Sequence, residues 1–259
     1  MKIDNHVHTH YCPHGSNEKM EKYVKKAIEL GIDKITFTEH APLPILDTVP
    51  DKDSAMNEKD VYEYLKEAKG LKAKYRHKIE INAGFEIDYI EGYEQETRLF
   101  LEKYPETIEN SILSVHFLKL PDETYFCIDY SKESFIQKGE EIGYHMLYSI
   151  YEKTVLKALS NPYGPITPKK IGHINLIHKF EKSYQYKDMI DWVKLLKLAK
   201  KNGYILDYNF AGIDKEFYGK TYPNQMILDK AKNLNLKLEI GSDAHKPEEV
   251  GRYFIERED

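Results

Sequence analysis

The sequence predicts an α/β fold, a distorted β/α (TIM-like) barrel of seven parallel strands, and three observations lead there. Short apolar strands alternate with helical patterns along all 259 residues, which implies parallel pairing with helices outside the sheet. No glycine-rich nucleotide fingerprint follows the first strand, so the usual reason to prefer an open doubly wound sheet is missing. Potential metal ligands recur at the predicted strand ends, and barrels build their sites at the C-terminal ends of their strands. With no internal repeat or low-complexity tract, residues 1–259 are read as one domain.

Strands are expected at 2–6, 34–38, 80–86, 111–116, 170–174, 204–208 and 237–241. Amphipathic helical stretches fall at 20–30, 60–75, 134–159, 189–202 and 223–233. Gly31 and Gly203 follow two of them as left-handed C-caps. Segment 41–57, rich in Pro and Asp, and segment 161–169, with Pro162, Pro165 and Pro168, read as long loops. Loops of that length in a compact domain are often pocket walls or lids.

Composition narrows the class. A formal net charge of -5 gives no basic field for a nucleic-acid backbone, so any phosphate must be met by a local cluster of cations. No run of 18 apolar residues is present, and no membrane span is expected. Met1-Lys2 leads straight into the first strand without a signal peptide, and Cys12 and Cys127 do not make a disulfide framework. A cytoplasmic protein is expected. The 21 tyrosines suit half-buried strand positions and pocket walls without identifying a ligand.

Strand one runs into His6 and His8, strand two into Glu39 and His40, and strand three into Glu86. Strand four ends at His116, strand five reaches His173, and the last leads to Asp243 and His245. His6 and His8, two apart on an extended strand, point to one side and reach one ion, and Asp243 and His245 share that spacing. A carboxylate such as Glu86 has two oxygens and can bridge neighbouring ions. Imidazole with carboxylate favours zinc, manganese or iron over calcium. Two to three such ions would polarise a phosphoryl oxygen, lower the pKa of bound water and make the pocket cationic, which fits an anionic substrate, and composition and spacing stop at a metal-dependent hydrolase.

Other residues are assigned more plainly. His10, His77 and His145 are read as ordinary polar residues, and His14 lies in a loop, where the spacing speaks for it less than for the histidines at strand ends. His173 is preferred over His178, and Cys12 is read as a small buried filler rather than a soft ligand.

The motifs resemble those of the polymerase and histidinol phosphatase superfamily, in its histidinol-phosphatase branch. They are Asp4-Asn5-His6-Val7-His8-Thr9-His10 with Cys12-Pro13-His14-Gly15, Thr36-Phe37-Thr38-Glu39-His40-Ala41-Pro42-Leu43-Pro44, and Asp53-Ser54-Ala55-Met56. They continue with Gly84-Phe85-Glu86-Ile87-Asp88-Tyr89-Ile90-Glu91-Gly92-Tyr93, Ser114-Val115-His116-Phe117, Ile171-Gly172-His173-Ile174 and Gly241-Ser242-Asp243-Ala244-His245. The resemblance spans essentially the whole chain. It implies a trinuclear site: His6, His8, Glu86 and Asp243 for one ion, Glu86, His116 and His173 for a second, and His14, His40 and His245 for a third. It also implies hydrolysis of L-histidinol phosphate in histidine synthesis.

In that reading a metal-bridging hydroxide attacks phosphorus in line, and Asp243, His245 or a metal-bound water protonates the leaving alkoxide. Family arginines near the fifth strand and after the Asn-x-x-Gly turn are replaced here by Lys169-Lys170 and by Lys215, so Lys170 and Lys215 are the expected phosphate holders. Phe117 is expected to flank the organic part of the substrate. The rival readings are a phosphoesterase of the same superfamily acting on nucleotides or DNA 3′ ends, which the acidic balance disfavours, and a catalytically inert metal-binding module. Oligomeric state is left open.

Overall fold

The computed structural model describes residues 1–254. In chain order it runs β1 (Ile3–Val7), α1 (Met20–Glu29), β2 (Lys34–His40), α2 (Val61–Tyr75), β3 (Glu80–Asp88) and α3 (Glu94–Lys103). There follow β4 (Ile112–Ser114), a hairpin of β5 (Phe117–Lys119) and β6 (Tyr125–Cys127), and α4 (Lys132–Ile142) with α5 (Tyr144–Ala158). The chain then forms β7 (Lys170–Ile171), α6 (Trp192–Lys201), β8 (Ile205–Asn209), α7 (Gln225–Asn233) and β9 (Leu238–Gly241). Seven strands pair in the order β1-β2-β3-β4-β7-β8-β9, every pairing parallel. The sheet nearly closes through the chain after β9, where Asp243 N–H donates to His6 O and His8 N–H to Ala244 O, both at 2.8 Å.

All seven expected strands are present. Two elements escaped the sequence reading. Helix α3 buries only Thr97 and Leu101, too little for a periodic apolar stripe. The antiparallel β5–β6 hairpin has three-residue strands, too short to show alternation. The stretch 134–159 is two helices rather than one, because Gly143 between them takes φ 86°, a left-handed conformation that ends α4. Gly31 (φ 65°) and Gly203 (φ 74°) close α1 and α6 as expected.

Tyrosine is used more deeply than half-buried strand positions. Tyr23, Tyr64 and Tyr151 are fully buried, and their hydroxyls fasten helices to the barrel. Tyr64 on α2 donates to Phe37 O and Gly84 O, Tyr151 on α5 to Ile174 O, and Tyr23 on α1 to His245 O. Each ring fills the helix–sheet layer while its hydroxyl satisfies a backbone carbonyl of a strand or of the chain just beyond one. Those carbonyls sit beside the residues considered next.

Candidate metal centre

The strand C-termini converge as the barrel geometry requires, and three sets of donor atoms meet there. In the first, His6 Nε2 lies 3.0 Å from His8 Nε2, 3.0 Å from Glu86 Oε2 and 3.6 Å from Asp243 Oδ1. His8 Nε2 is 3.2 Å from the same Glu86 oxygen and 3.4 Å from Asp243 Oδ1. Donors held about 2.1 Å from a tetrahedral ion stand about 3.4 Å apart, so these four atoms have the spacing of a first coordination sphere.

In the second set, Glu86 Oε1 is 2.8 Å from His173 Nε2 and 3.6 Å from His116 Nε2, and the two imidazoles are 3.2 Å apart. Glu86 therefore gives one oxygen to each set. At the third, His8, Cys12, His40 and His245 bring donor atoms within 4.8 Å of one another, and His14 stands beside them, its ring centroid 5.2 Å from that of His40 and 5.0 Å from that of His245 and its Nε2 3.4 Å from Cys12 Sγ.

The donor chemistry fits divalent cations. His40 Nδ1 and His245 Nε2 are buried without a hydrogen-bond partner, an arrangement that costs free energy unless something fills it. The charges also ask for a cation. Burial opposes protonation of His6, yet Asp243, Glu86 and Asp207 overcome it and lift the imidazole to about 10. Burial likewise opposes it at His116, where Asp88 and Glu86 raise the group to about 10. Burial works against ionisation of Glu86 too, but His6, His40 and His116 hold its carboxyl well below the usual range.

Backbone and neighbours hold this set in place. Gly172 is needed because a Cβ there would collide with Ser114 Oγ, which donates to Glu86 Oε1 at 2.6 Å, and would press on Ile112 Cγ2. Asp243 takes φ 51°, a left-handed conformation uncommon outside glycine. Asp243 joins the first set and His245 the third, the split that the resemblance implies, and the two stay close, with His245 Nδ1 3.7 Å from Asp243 Oδ1. Asn209 Nδ2 donates to Asp243 Oδ2 at 2.9 Å and to Asp207 Oδ2 at 3.1 Å.

Several ligand rings are steered from behind. His6 Nδ1 lies 2.8 Å from Asp207 Oδ2, His116 Nδ1 is 2.7 Å from Asp88 Oδ1, and His14 Nδ1 faces Asp53 O at 2.8 Å. Asp207 went unnoticed in the sequence, although an acid in the middle of an apolar strand was the available signal. Replacing it by Asn should weaken metal affinity roughly 10- to 100-fold, as loss of a ligand's outer hydrogen bond does. Competition with a chromophoric chelator measures this, and wild-type affinity would reduce Asp207 to a packing role.

The remaining sequence-selected residues are distributed as follows. Glu39 does not join the donors: it accepts from Thr9 N–H at 2.8 Å and Thr9 O–H at 2.6 Å, and burial raises its carboxyl to about 8. His178 stands apart, 3.1 Å from Asp188 Oδ2. His10 rests on Tyr11, His145 is exposed near Tyr186, and His77 is exposed in a turn. Cys12 is buried, as expected, and lies among the donors of His8, His40 and His245; burial opposes its ionisation, but His14, His245 and His8 pull the thiol well below its ordinary value.

Above the donors opens a cavity of about 400 Å³. Phe117 and Lys215 line it, as expected, with Lys179 and Arg252, which the sequence reading did not select. Lys170 is the correction. It lies at the start of β7, three residues before His173, and its buried Nζ pairs with Glu239 Oε2 at 2.7 Å, so it is bound within the barrel wall and does not line the cavity. Asp214, next to Lys215 in the sequence, is engaged by Arg252 at 2.8 Å.

Comparison with known proteins decides the family. The PHP domain model matches residues 4–211. The chain belongs to the PHP domain family. A PHP relative, the histidinol-phosphatase of Bacillus subtilis (strain 168), is 39% identical over 99% of both chains. Among solved PHP structures, one from Listeria monocytogenes, named as a candidate histidinol phosphatase, superposes with a TM-score of 0.90 at 33% identity over 99% of this chain and 100% of that one. A histidinol phosphate phosphatase of Lactococcus lactis, solved with zinc, L-histidinol and phosphate, has a TM-score of 0.64 at 23% identity over 95% of this chain and 87% of that one, a likeness of fold.

Proposed function

We propose that this PHP-family enzyme is a histidinol-phosphatase, hydrolysing L-histidinol phosphate to L-histidinol and phosphate with two to three zinc, manganese or iron ions. The observation that carries the reading is Glu86, with one oxygen in each of two donor sets beneath a cavity that Lys179, Lys215 and Arg252 also line. Identity to the Bacillus histidinol-phosphatase across nearly the full chain supports the substrate. His6, His8, Glu86 and Asp243 would hold one ion, Glu86, His116 and His173 a second, and His14, His40 and His245 a third. When bound, the ions polarise the phosphoryl oxygens and lower the pKa of water.

The chain's own groups do the rest. Lys215 and Lys179 meet the phosphate oxygens. Burial, then the nearby Lys179, lowers the pKa of Lys215, so an entering dianion relieves the repulsion that the empty pocket imposes on it. Phe117 packs against the apolar part of the substrate. Asp243 and His245 both line the cavity and are our candidates for protonating the leaving alkoxide. Residues 1–259 are taken as one PHP-type metallophosphatase domain with a small-molecule substrate and no nucleic-acid partner. Both cysteines are free, and among the described residues no helix is long and apolar enough to cross a membrane, which supports a cytoplasmic setting.

The test is phosphate release from L-histidinol phosphate beside nucleoside monophosphates and an aryl phosphate, with manganese, with zinc and after chelation. A chelator-sensitive preference for histidinol phosphate is expected, and equal or faster release from the others overturns the substrate. In the same assay Lys215→Met should raise KM roughly tenfold, the size of one charge-assisted hydrogen bond. An unchanged KM would remove Lys215 from the phosphate site.

A further inference from the structure

The carboxylates around the cavity are nearly all accounted for. Glu86 and Asp243 lie among the donor histidines, Asp88 backs His116, Asp129 pairs with Lys179 at 3.0 Å, and Glu249 pairs with Arg252 at 2.7 Å. Asp53 is the exception. It lines the same cavity, yet its carboxylate has neither a hydrogen bond nor an ion pair among the described residues.

Its position is nonetheless built. Asp53 O faces His14 Nδ1 at 2.8 Å, which pins this backbone to the third donor set. Asp47 folds the loop around it, accepting from Val49 N–H at 3.0 Å, Ser54 N–H at 2.9 Å and Ser54 O–H at 3.0 Å. Tyr130 O–H donates to Asp51 Oδ2 at 3.0 Å and stitches the loop to the chain just beyond β6. A fixed loop thus holds one uncompensated negative charge in the cavity, which the cationic Lys179, Lys215 and Arg252 also line.

We infer that Asp53 is a specificity-determining residue whose carboxylate binds a primary ammonium on the substrate, selecting phosphomonoesters of amino alcohols over those without the amine. The inference rests on the proposed substrate class. In L-histidinol phosphate the ammonium is on the carbon next to the ester carbon. With phosphate over the donor sets, an ammonium so close to the ester lies within the one cavity that Asp53 lines from its His14-anchored loop. A charge-assisted hydrogen bond there would orient the ester as well as select it.

The test compares kcat/KM on L-histidinol phosphate and on its des-amino analogue, in which hydrogen replaces the ammonium, for wild type, Asp53→Asn and Asp53→Glu in the metal-loaded protein. Wild type should prefer the amine-bearing ester, and Asp53→Asn should shrink that preference roughly 10- to 100-fold. Asp53→Glu, which keeps the charge, should retain more of the preference than Asp53→Asn. The same preference in wild type and Asp53→Asn defeats the inference alone. Absence of turnover of L-histidinol phosphate by wild type defeats the substrate reading and this inference with it.

Discussion

Replacing Glu86 by Gln is expected to lower kcat on L-histidinol phosphate by roughly three orders of magnitude, the loss that follows when several kcal/mol of electrophilic stabilisation go. The reason is geometric. One carboxylate contributes Oε2 to the His6–His8–Asp243 set and Oε1 to the His116–His173 set. An amide has one oxygen and no charge, so it cannot serve both. It also leaves imidazoles in a buried space that has lost a compensating charge. Metal content should fall in parallel, to be measured by elemental analysis beside steady-state kinetics. Turnover within threefold of wild type would show that Glu86 does not bridge.

The second large effect concerns the protein stripped of metal. His6 and His116 have folded-state pKa values near 10, against 6.5 in an unfolded chain. A raised imidazole pKa contributes stability that is complete below the unfolded value and disappears as pH rises through the folded one. Chelated protein should therefore lose stability steadily between about pH 6.5 and 10, as neutral imidazoles leave Glu86 and Asp243 without counter-charge. Urea midpoints at several pH values test this. With metal restored the dependence should flatten, because the ions take over the neutralisation. A chelated protein equally stable at both ends of that range would contradict the charge balance described here.

How much of this was legible beforehand depended on the reach of each signal. The strands were legible because alternation with helices is a local pattern, and the donors because His, Glu and Asp stood at strand ends repeatedly. What a local pattern cannot carry is direction. Spacing offered Asp243 and His245 only as one more alternating pair; their split between two sets came from the resemblance, and no local pattern announces the left-handed turn at Asp243. Lys170 looked well placed for phosphate, but its partner Glu239 lies on another strand and no spacing rule announces it. Arg252 went unselected because its role depends on the C-terminal segment folding back over the cavity. Asp53 was visible as part of a motif, yet only the pairing of every other acid around it shows what it lacks.

The seam between β1 and the chain after β9 has a further consequence. The backbone hydrogen bonds that join these edges there are few, and the first donor set straddles the same seam, with His6 and His8 on one side and Asp243 on the other. An ion in that set would be a clasp as well as a catalyst. Loading it would tie the first strand to the segment after β9, and losing it would leave these two edges freer to part. In a cell starved of metal the protein would grow more open to proteases as well as idle, so metal supply would set how many molecules persist along with how fast each one works.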